Sequence, residues 1–321
     1  MKEAKAAGTG PRRLLWPVIK TLVALGLLAW IATKVDFGRA FGTVRLLSMP
    51  VVAAVFTLLA LQALLSAWRW AAISALAGPR LPLKPAFHYF MASLFYNQAL
   101  PSPIPGDAAR IVGATRWGLT LGEATLGVLL DRVLTLFGLL ILAFAGLVAM
   151  KQVYGAALPV PHLLELMALG ILAGVVAVLV LAIRPRVIAP LHSGRLAAVS
   201  EVVARLFGSR AIVLMLLITL VIHGLSVAAV YALASGLGLP LSIGAAVCAV
   251  PAVLLIAVFP VSIGGWGVRE GGMIMALAAF GIGSTDAATL SVVFGLFQLV
   301  VGLAGGVFVV LPSSGRTLAG H

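Results

Sequence analysis

Nine charged residues sit where the chain is otherwise apolar: Asp107, Arg110, Arg116, Glu123, Asp131, Arg132, Arg269, Glu270 and Asp286. They include five of the nine acids in the whole chain, so the acids are concentrated where charge is expensive. An arginine near the centre of a bilayer costs roughly 2.5–3.5 kcal/mol on insertion scales; Arg110, Arg132 and Arg269 together would cost about 8–10 kcal/mol if unpaired. They need anionic partners. Asp107 and Arg110 stand at i and i+3, on one helical face, and are expected to pair locally. Asp131-Arg132 and Arg269-Glu270 are sequence neighbours about 100° apart on a helix, so each residue is expected to find its partner elsewhere. The chemistry this set suits is capture of an anion. Arginine offers forked donors to a phosphate, and Arg110, Arg132 and Arg269 would line the cavity with Asp131 and Glu270 holding them in place. Gly106 and the pair Gly264-Gly265 would let backbone N–H groups at helix starts approach the same anion. The same residues equally suit buried ion pairs that fix helix packing without a ligand. Asp107, Asp131 and Glu270 are also the carboxylates able to couple to protons, although the neighbouring arginines oppose the required rise in pKa.

Other chemistries find little support. The histidines at 88, 162, 192, 223 and 321 show no HxxxH or HxxEH spacing, so neither a metal site nor a cofactor is expected. Cys248 is the single cysteine; it forms no intrachain disulfide and is read as a packing residue. No nucleophile stands beside a base, and no catalytic residue is assigned. A net charge of +13 invites a nucleic-acid reading, but the basic residues are spread over loops and span ends, where they act as topology signals and anionic-lipid contacts. Trp68-Arg69-Trp70 reads as an interfacial belt with a snorkelling arginine. Glu123 and Asp286 sit where following spans begin and read as charges that complement helix dipoles. His223 reads as a hydrogen-bonded packing residue.

The elements that must position these residues are membrane helices. With 62% hydrophobic residues, 10% charged and a mean hydropathy of +1.17, the chain has too few charges for a water-soluble surface. Its apolar runs lack the period-2 alternation of a barrel. Full spans are expected near 15–33, 50–77, 121–150, 162–183, 211–236 and 287–312. The first of these follows Lys2, Lys5, Arg12 and Arg13 and is expected to be retained rather than cleaved, since no polar mature domain follows.

Two interrupted regions lie between spans, at 86–118 and 241–285. They hold two versions of one device: Pro101-Ser-Pro-Ile-Pro-Gly106-Asp-Ala-Ala-Arg110 and Pro260-Val-Ser-Ile-Gly-Gly265-Trp-Gly-Val-Arg269, 159 residues apart. The piece 86–100 is about 22 Å long as a helix, too short to cross a core of about 30 Å, so 86–118 is expected to be a re-entrant hairpin with its tip at the prolines. The piece 241–259, about 28 Å, leaves re-entrant and spanning readings open. The connection 184–210 carries Arg184, Arg186, Arg195, Arg205 and Arg210 against the single acid Glu201 and is expected in the cytoplasm with the basic N-terminus. Four spans and one hairpin between them satisfy that. The fold expected is all-α, a polytopic membrane protein of about six full spans plus two re-entrant or broken-helix hairpins, with seven to eight full spans as the alternative. It forms one membrane domain, 1–321, of two inverted repeats, 1–160 and 161–321, whose hairpin tips share a cavity. The repeats are unequal: aligning Glu123 with Asp286 leaves Asp131 and Arg132 opposite uncharged residues.

Three motifs in order, Pro101-Ser-Pro-Ile-Pro-Gly106-Asp107-Ala-Ala-Arg110, Val128-Leu-Leu-Asp131-Arg132 and Phe259-Pro-Val-Ser-Ile-Gly264-Gly265-Trp-Gly267-Val-Arg269-Glu270-Gly271, resemble the flippase-like transmembrane region of lysylphosphatidylglycerol synthases. The resemblance covers nearly the whole chain, with one departure: Pro105-Gly106-Asp107 stands where Gly-Gly-Asp is usual. It implies a multi-pass protein of the bacterial inner membrane that moves or accommodates a phospholipid or a polyprenyl- or hopanoid-type lipid; the charge asymmetry and the count of crossings place both termini in the cytoplasm. The chain ends nine residues after Pro312, so the soluble synthase domain and its lysyltransferase activity are not expected. A lipid flippase or transporter for an anionic, phosphate-bearing lipid is the first reading. An integral-membrane lipid-linked transferase using Asp107 or Asp131 as base, or an accessory subunit presenting lipid to an enzyme, is the alternative.

Overall fold

The computed structural model describes residues 42–99, 104–153, 167–172, 174, 202, 205, 211–257 and 266–311. No strand occurs among them. The longer helices, in chain order, are α1 (Met49–Ala77), α2 (Leu83–Ala99), α3 (Ile104–Thr115), α4 (Leu121–Val153), α5 (Ala211–Gly236), α6 (Ile243–Ala257), α7 (Val268–Ala278) and α8 (Ser284–Val310). Four segments are long and apolar enough to cross a bilayer: α1, Leu121–Ala149 within α4, α5 and α8. They fall on four of the expected spans; 15–33 lies outside the described residues, and of 162–183 only 167–172 and 174, all helical, are described. Leu61 and Leu64 on α1, Leu129 and Val133 on α4 and Leu217 and Val221 on α5 are exposed on the outside of the bundle. Such faces suit lipid rather than water, and the chain is a multi-pass helical membrane protein.

Both interrupted regions are pairs of short helices packed on each other, α2 with α3 and α6 with α7. With 17, 12, 15 and 11 residues they measure about 25, 18, 22 and 16 Å, each short of the hydrocarbon thickness. Among the described residues, the second region is a pair of short helices like the first, with α6 described over Ile243–Ala257. Residues 100–103 and 258–265 lie outside the described residues.

The two hairpins also stop in the same way. After α3, Gly118 at φ 96° places its N–H on the Thr115 carbonyl while the Leu119 N–H reaches back to Ala114. After α7, Gly281 at φ 75° bonds Ala278 and the Ile282 N–H reaches Leu277. These are Schellman stops, which need a left-handed residue that only glycine adopts without strain. α4 then starts from a capping box: the Thr120 N–H donates to Glu123 Oε2 at 2.7 Å, and the Glu123 N–H donates to Thr120 Oγ1 at 3.3 Å. Thr120→Ala is expected to lower stability by about 1 kcal/mol, read as a drop in the thermal unfolding midpoint of the purified protein.

Helix packing repeats between the halves. If α1 to α4 are exchanged for α5 to α8, α2 on α8 becomes α6 on α4, α1 on α4 becomes α5 on α8, and α3 on α4 becomes α7 on α8. The remaining packed pairs exchange likewise, and α1 against α5 maps onto itself. Glycines mark the crossed contacts. A Cβ on Gly146 of α4 would lie 2.8 Å from the Cys248 carbonyl oxygen of α6, and one on Gly305 of α8 would lie 2.2 Å from the Met91 carbonyl oxygen of α2. These glycines are 159 residues apart, the same separation as Arg110 and Arg269.

Candidate functional site

The first-half charges form one continuous chain of alternating sign. Arg69 Nε on α1 donates to Asp131 Oδ1 on α4 at 2.9 Å, and Arg110 Nη1 on α3 donates to Asp131 Oδ2 at 2.8 Å. Arg110 Nη2 reaches Asp107 Oδ1 at 2.6 Å, and Asp107 Oδ2 accepts from Arg132 Nε. The i, i+3 pair forms as its spacing predicts. Asp131 and Arg132 point to different partners, as their 100° separation requires. Arg69 Nη1 also donates to Thr219 Oγ1 on α5 at 2.7 Å, so the network ties four helices together. Arg110 lies over the rings of Trp70 and Phe90, 5.6 and 5.7 Å from their centroids, within reach of cation–π attraction.

Arg69 corrects the sequence reading. Flanked by two tryptophans near a span end, it looks interfacial; in the fold it is 2% exposed and closes the buried end of the network. Its partners Asp131, Thr135 and Thr219 lie 62, 66 and 150 residues away, beyond any local signal. Three arginines against two aspartates leave the network with one net positive charge. That charge surfaces at the other end. The Arg132 side chain is 33% exposed, and its two Nη groups have no hydrogen-bond partner among the described residues.

The second-half network is smaller and neutral. Arg269, 3% exposed on α7, donates from Nη2 to Glu270 Oε1 at 3.0 Å, from Nη1 to Gln298 Oε1 at 3.0 Å and from Nε to Ser291 Oγ at 3.3 Å. All three of its nitrogens are engaged, and its guanidinium lies 4.8 Å from the Trp266 ring centroid. The pairing of Arg269 with Glu270 departs from expectation. Both residues sit in the first turn of α7, where Glu270 Oε2 curls back to cap the Gly267 N–H, and this brings Oε1 under the arginine. Gly295 makes room on α8: a Cβ there would lie 2.1 Å from Arg269 Nη2.

Gly106 is buried where the arms of the first hairpin meet, and a Cβ there would lie 2.2 Å from Asn97 Oδ1 and 2.8 Å from the Ser93 carbonyl oxygen. Its visible role is close approach of α3 to α2. Gly264 and Gly265 lie outside the described residues. Glu123 is the capping residue described above, and Asp286 is exposed in the first turn of α8. Arg116 is exposed, with Nη1 3.5 Å from the Tyr89 hydroxyl. His223 Nε2 donates to the Thr135 carbonyl at 3.2 Å, a packing contact between α5 and α4.

Between the two networks lies a cavity of about 170 Å³, which no sequence motif announces. Its polar wall comes from three helices: Gln62 and Ser66 on α1, Asn97 and Gln98 on α2, and Gln298 on α8. Phe90, under Arg110, and Gln298, bonded to Arg269, both line it, so each network touches the cavity through one side chain. Asn97 Oδ1 and Gln98 Oε1 are buried without a hydrogen-bond donor among the described residues. Amides scattered singly along apolar helices carry no spacing that sequence inspection would register.

Neither the curated proteins nor the solved structures compared with this chain give a match. A family does: residues 18–306 match the lysylphosphatidylglycerol synthase TM region, a stretch that holds both charged networks, the glycine contacts between halves and the cavity. A match over that much of its length places the chain in the lysylphosphatidylglycerol synthase TM region family.

Proposed function

We propose that this chain is a lipid flippase or transporter that moves or accommodates an anionic, phosphate-bearing lipid across the bacterial inner membrane. The observation that carries the reading is the unbalanced charge of the first-half network, delivered to the partly exposed Arg132 guanidinium, whose two Nη groups have no partner among the described residues. A phosphate oxygen pair is the partner such a fork takes. Arg110 and Arg269 serve this reading from behind, Arg110 by holding Asp107 against Arg132 and Arg269 by orienting Gln298 at the cavity. Asp107, Asp131 and Glu270 support the arginines. Gly106 lets α3 approach α2 closely.

The exchange symmetry of the packing supports two repeats, 1–160 and 161–321, and we read them as inverted, with both termini cytoplasmic. Alternating access needs two related halves, whereas a catalytic site needs only one. On this basis the chain works as a transporter rather than a transferase.

Arg132→Gln tests the reading, because it removes the charge and keeps much of the side-chain length. In proteoliposomes it is expected to slow transbilayer movement of a labelled anionic phospholipid by about 10- to 100-fold, the range of one lost charge-assisted hydrogen bond. Arg132→Lys, which keeps charge without the fork, should fall between. Purified yield of folded protein should stay near wild type in both, since the side chain is partly exposed. An unchanged rate in Arg132→Gln sinks the assignment of this residue.

A further inference from the structure

We propose that the cavity between α1, α2 and α8 is a binding site for a small monovalent inorganic anion of the chloride type. The site stands independently of the lipid reading, because it follows from the direction in which the cavity's carboxamides face.

Four carboxamides line the cavity: Gln62 on α1, Asn97 and Gln98 on α2, and Gln298 on α8. All four oxygens are turned away or taken. Asn97 Oδ1 is buried against α3, where a Cβ on Gly106 would lie 2.2 Å from it, and Gln98 Oε1 is buried as well. Gln62 Oε1 accepts from Ser226 Oγ at 3.2 Å, and Gln298 Oε1 accepts from Arg269 Nη1 at 3.0 Å. The four amide nitrogens, by contrast, are neither buried nor hydrogen-bonded among the described residues. They are the polar atoms that these side chains present to the cavity, and Ser66 on α1 adds a hydroxyl. Apart from that hydroxyl, such a wall only donates.

The partner of a donor wall is an anion, and the surroundings have the matching sign. No acid borders the cavity among the described residues. Arg110 lies 5.7 Å from the ring centroid of Phe90, which lines the cavity, and Arg269 holds Gln298 from behind. The two networks together set four arginines against three acids, so their positive field is not cancelled. Neutral donors favour a single charge. A phosphate or sulfate dianion gives up far more hydration on entry and needs a paired cation, whereas chloride is held by N–H and O–H dipoles. Leu94 and Val301 complete the wall with apolar surface, which strengthens those dipoles by lowering the local dielectric. At about 170 Å³ the cavity takes such an ion with part of its water and falls below the roughly 300–1,000 Å³ of a site for a drug-sized ligand.

Thermal unfolding of the purified full-length protein in a neutral detergent, with no added lipid, tests the site. Chloride is varied against gluconate at constant total salt, so that screening is unchanged. The wild-type midpoint is expected to rise by about 3 °C as chloride reaches about 100 mM, the shift for an ion in roughly tenfold excess over its Kd, and the rise should saturate. Gln98→Met, of nearly equal volume, and the Asn97→Leu/Gln98→Met pair should flatten this dependence. If the pair does not fold, Gln98→Met alone carries the test. Bromide places the ion: its anomalous signal in wild-type crystals is expected between Gln98 and Gln298. Equal midpoints in chloride and gluconate overturn the site, as does a rise that survives in every folded variant. Bromide in the cavity without a rise in midpoint marks an adventitious ion only and overturns it too. Bromide at Arg132, with the rise lost in Arg132→Gln, overturns the cavity site and assigns the anion to that fork. A chloride-dependent rise in a protein that moves no lipid in proteoliposomes leaves the anion site standing while the lipid reading fails.

Discussion

Asp131→Ala is expected to deplete folded protein more severely than any other change in the charged networks. Its carboxylate is the only acid bonded to both Arg69 and Arg110 among the described residues, and all three side chains are buried. Removing it strands two guanidinium groups in low dielectric, and breaking a buried pair from one side typically costs about 3–5 kcal/mol. Arg110 keeps Asp107 and Arg69 keeps Thr219, so the fold is weakened rather than rewired. Asp131→Asn, which preserves an acceptor but not the charge, should lose less. The triple change Arg69→Leu, Asp131→Leu, Arg110→Met should recover much of the loss, because an apolar replacement of the whole buried set avoids unpaired charge. Thermal unfolding midpoints and detergent-soluble yields read this order directly. An Asp131→Ala midpoint within about 2 °C of wild type would mean that the arginines find other partners.

Gly305→Val is the second large effect. The added Cβ would meet the Met91 carbonyl oxygen at 2.2 Å and its carbon at 3.0 Å, both backbone atoms that cannot rotate away. α2 must move off α8, with an expected cost of about 1–3 kcal/mol or more. Because α2 and α8 both line the cavity, the same substitution should also distort it. Gly146→Val should act similarly at the α4–α6 contact, where the Cβ would fall 2.8 Å from the Cys248 carbonyl oxygen. Gly224 is the control. Nothing lies within 4 Å of a Cβ there, so Gly224→Ala should be neutral or stabilise by up to about 1 kcal/mol through helix propensity. Midpoints for the three variants, measured in one detergent, check the order; a neutral Gly305→Val would show that the halves do not pack this closely.

Much of this architecture is legible in the residue order because membrane insertion penalises charge and broken helices so heavily that each exception marks itself. The four described spans, the two interrupted regions and the Asp107–Arg110 pair all follow from that penalty and from helical spacing. Glu123 was legible as a helix-start charge for the same reason, and Thr120 three residues before it completes the capping box. What stays hidden is set by long-range partners. Arg69 sits between tryptophans that mimic an interface, and its buried partners Asp131 and Thr219 are 62 and 150 residues away. Arg269 and Glu270 pair because the first turn of α7 lets the glutamate reach back, a freedom that ideal helical angles ignore. The cavity amides are spread over α1, α2 and α8, with no spacing to connect them until the helices pack.

Transbilayer movement of lipid by the purified protein distinguishes a flippase from a lipid-linked transferase. Proteoliposomes are loaded with a labelled anionic phospholipid or with a labelled neutral glycolipid that lacks phosphate, and exchange between leaflets is followed beside protein-free vesicles. Faster movement of the phospholipid than of the glycolipid is expected in the presence of protein, with the difference lost in Arg132→Gln. Movement no faster than in protein-free vesicles, together with the appearance of a covalently modified lipid, would contradict it and favour a lipid-linked transferase.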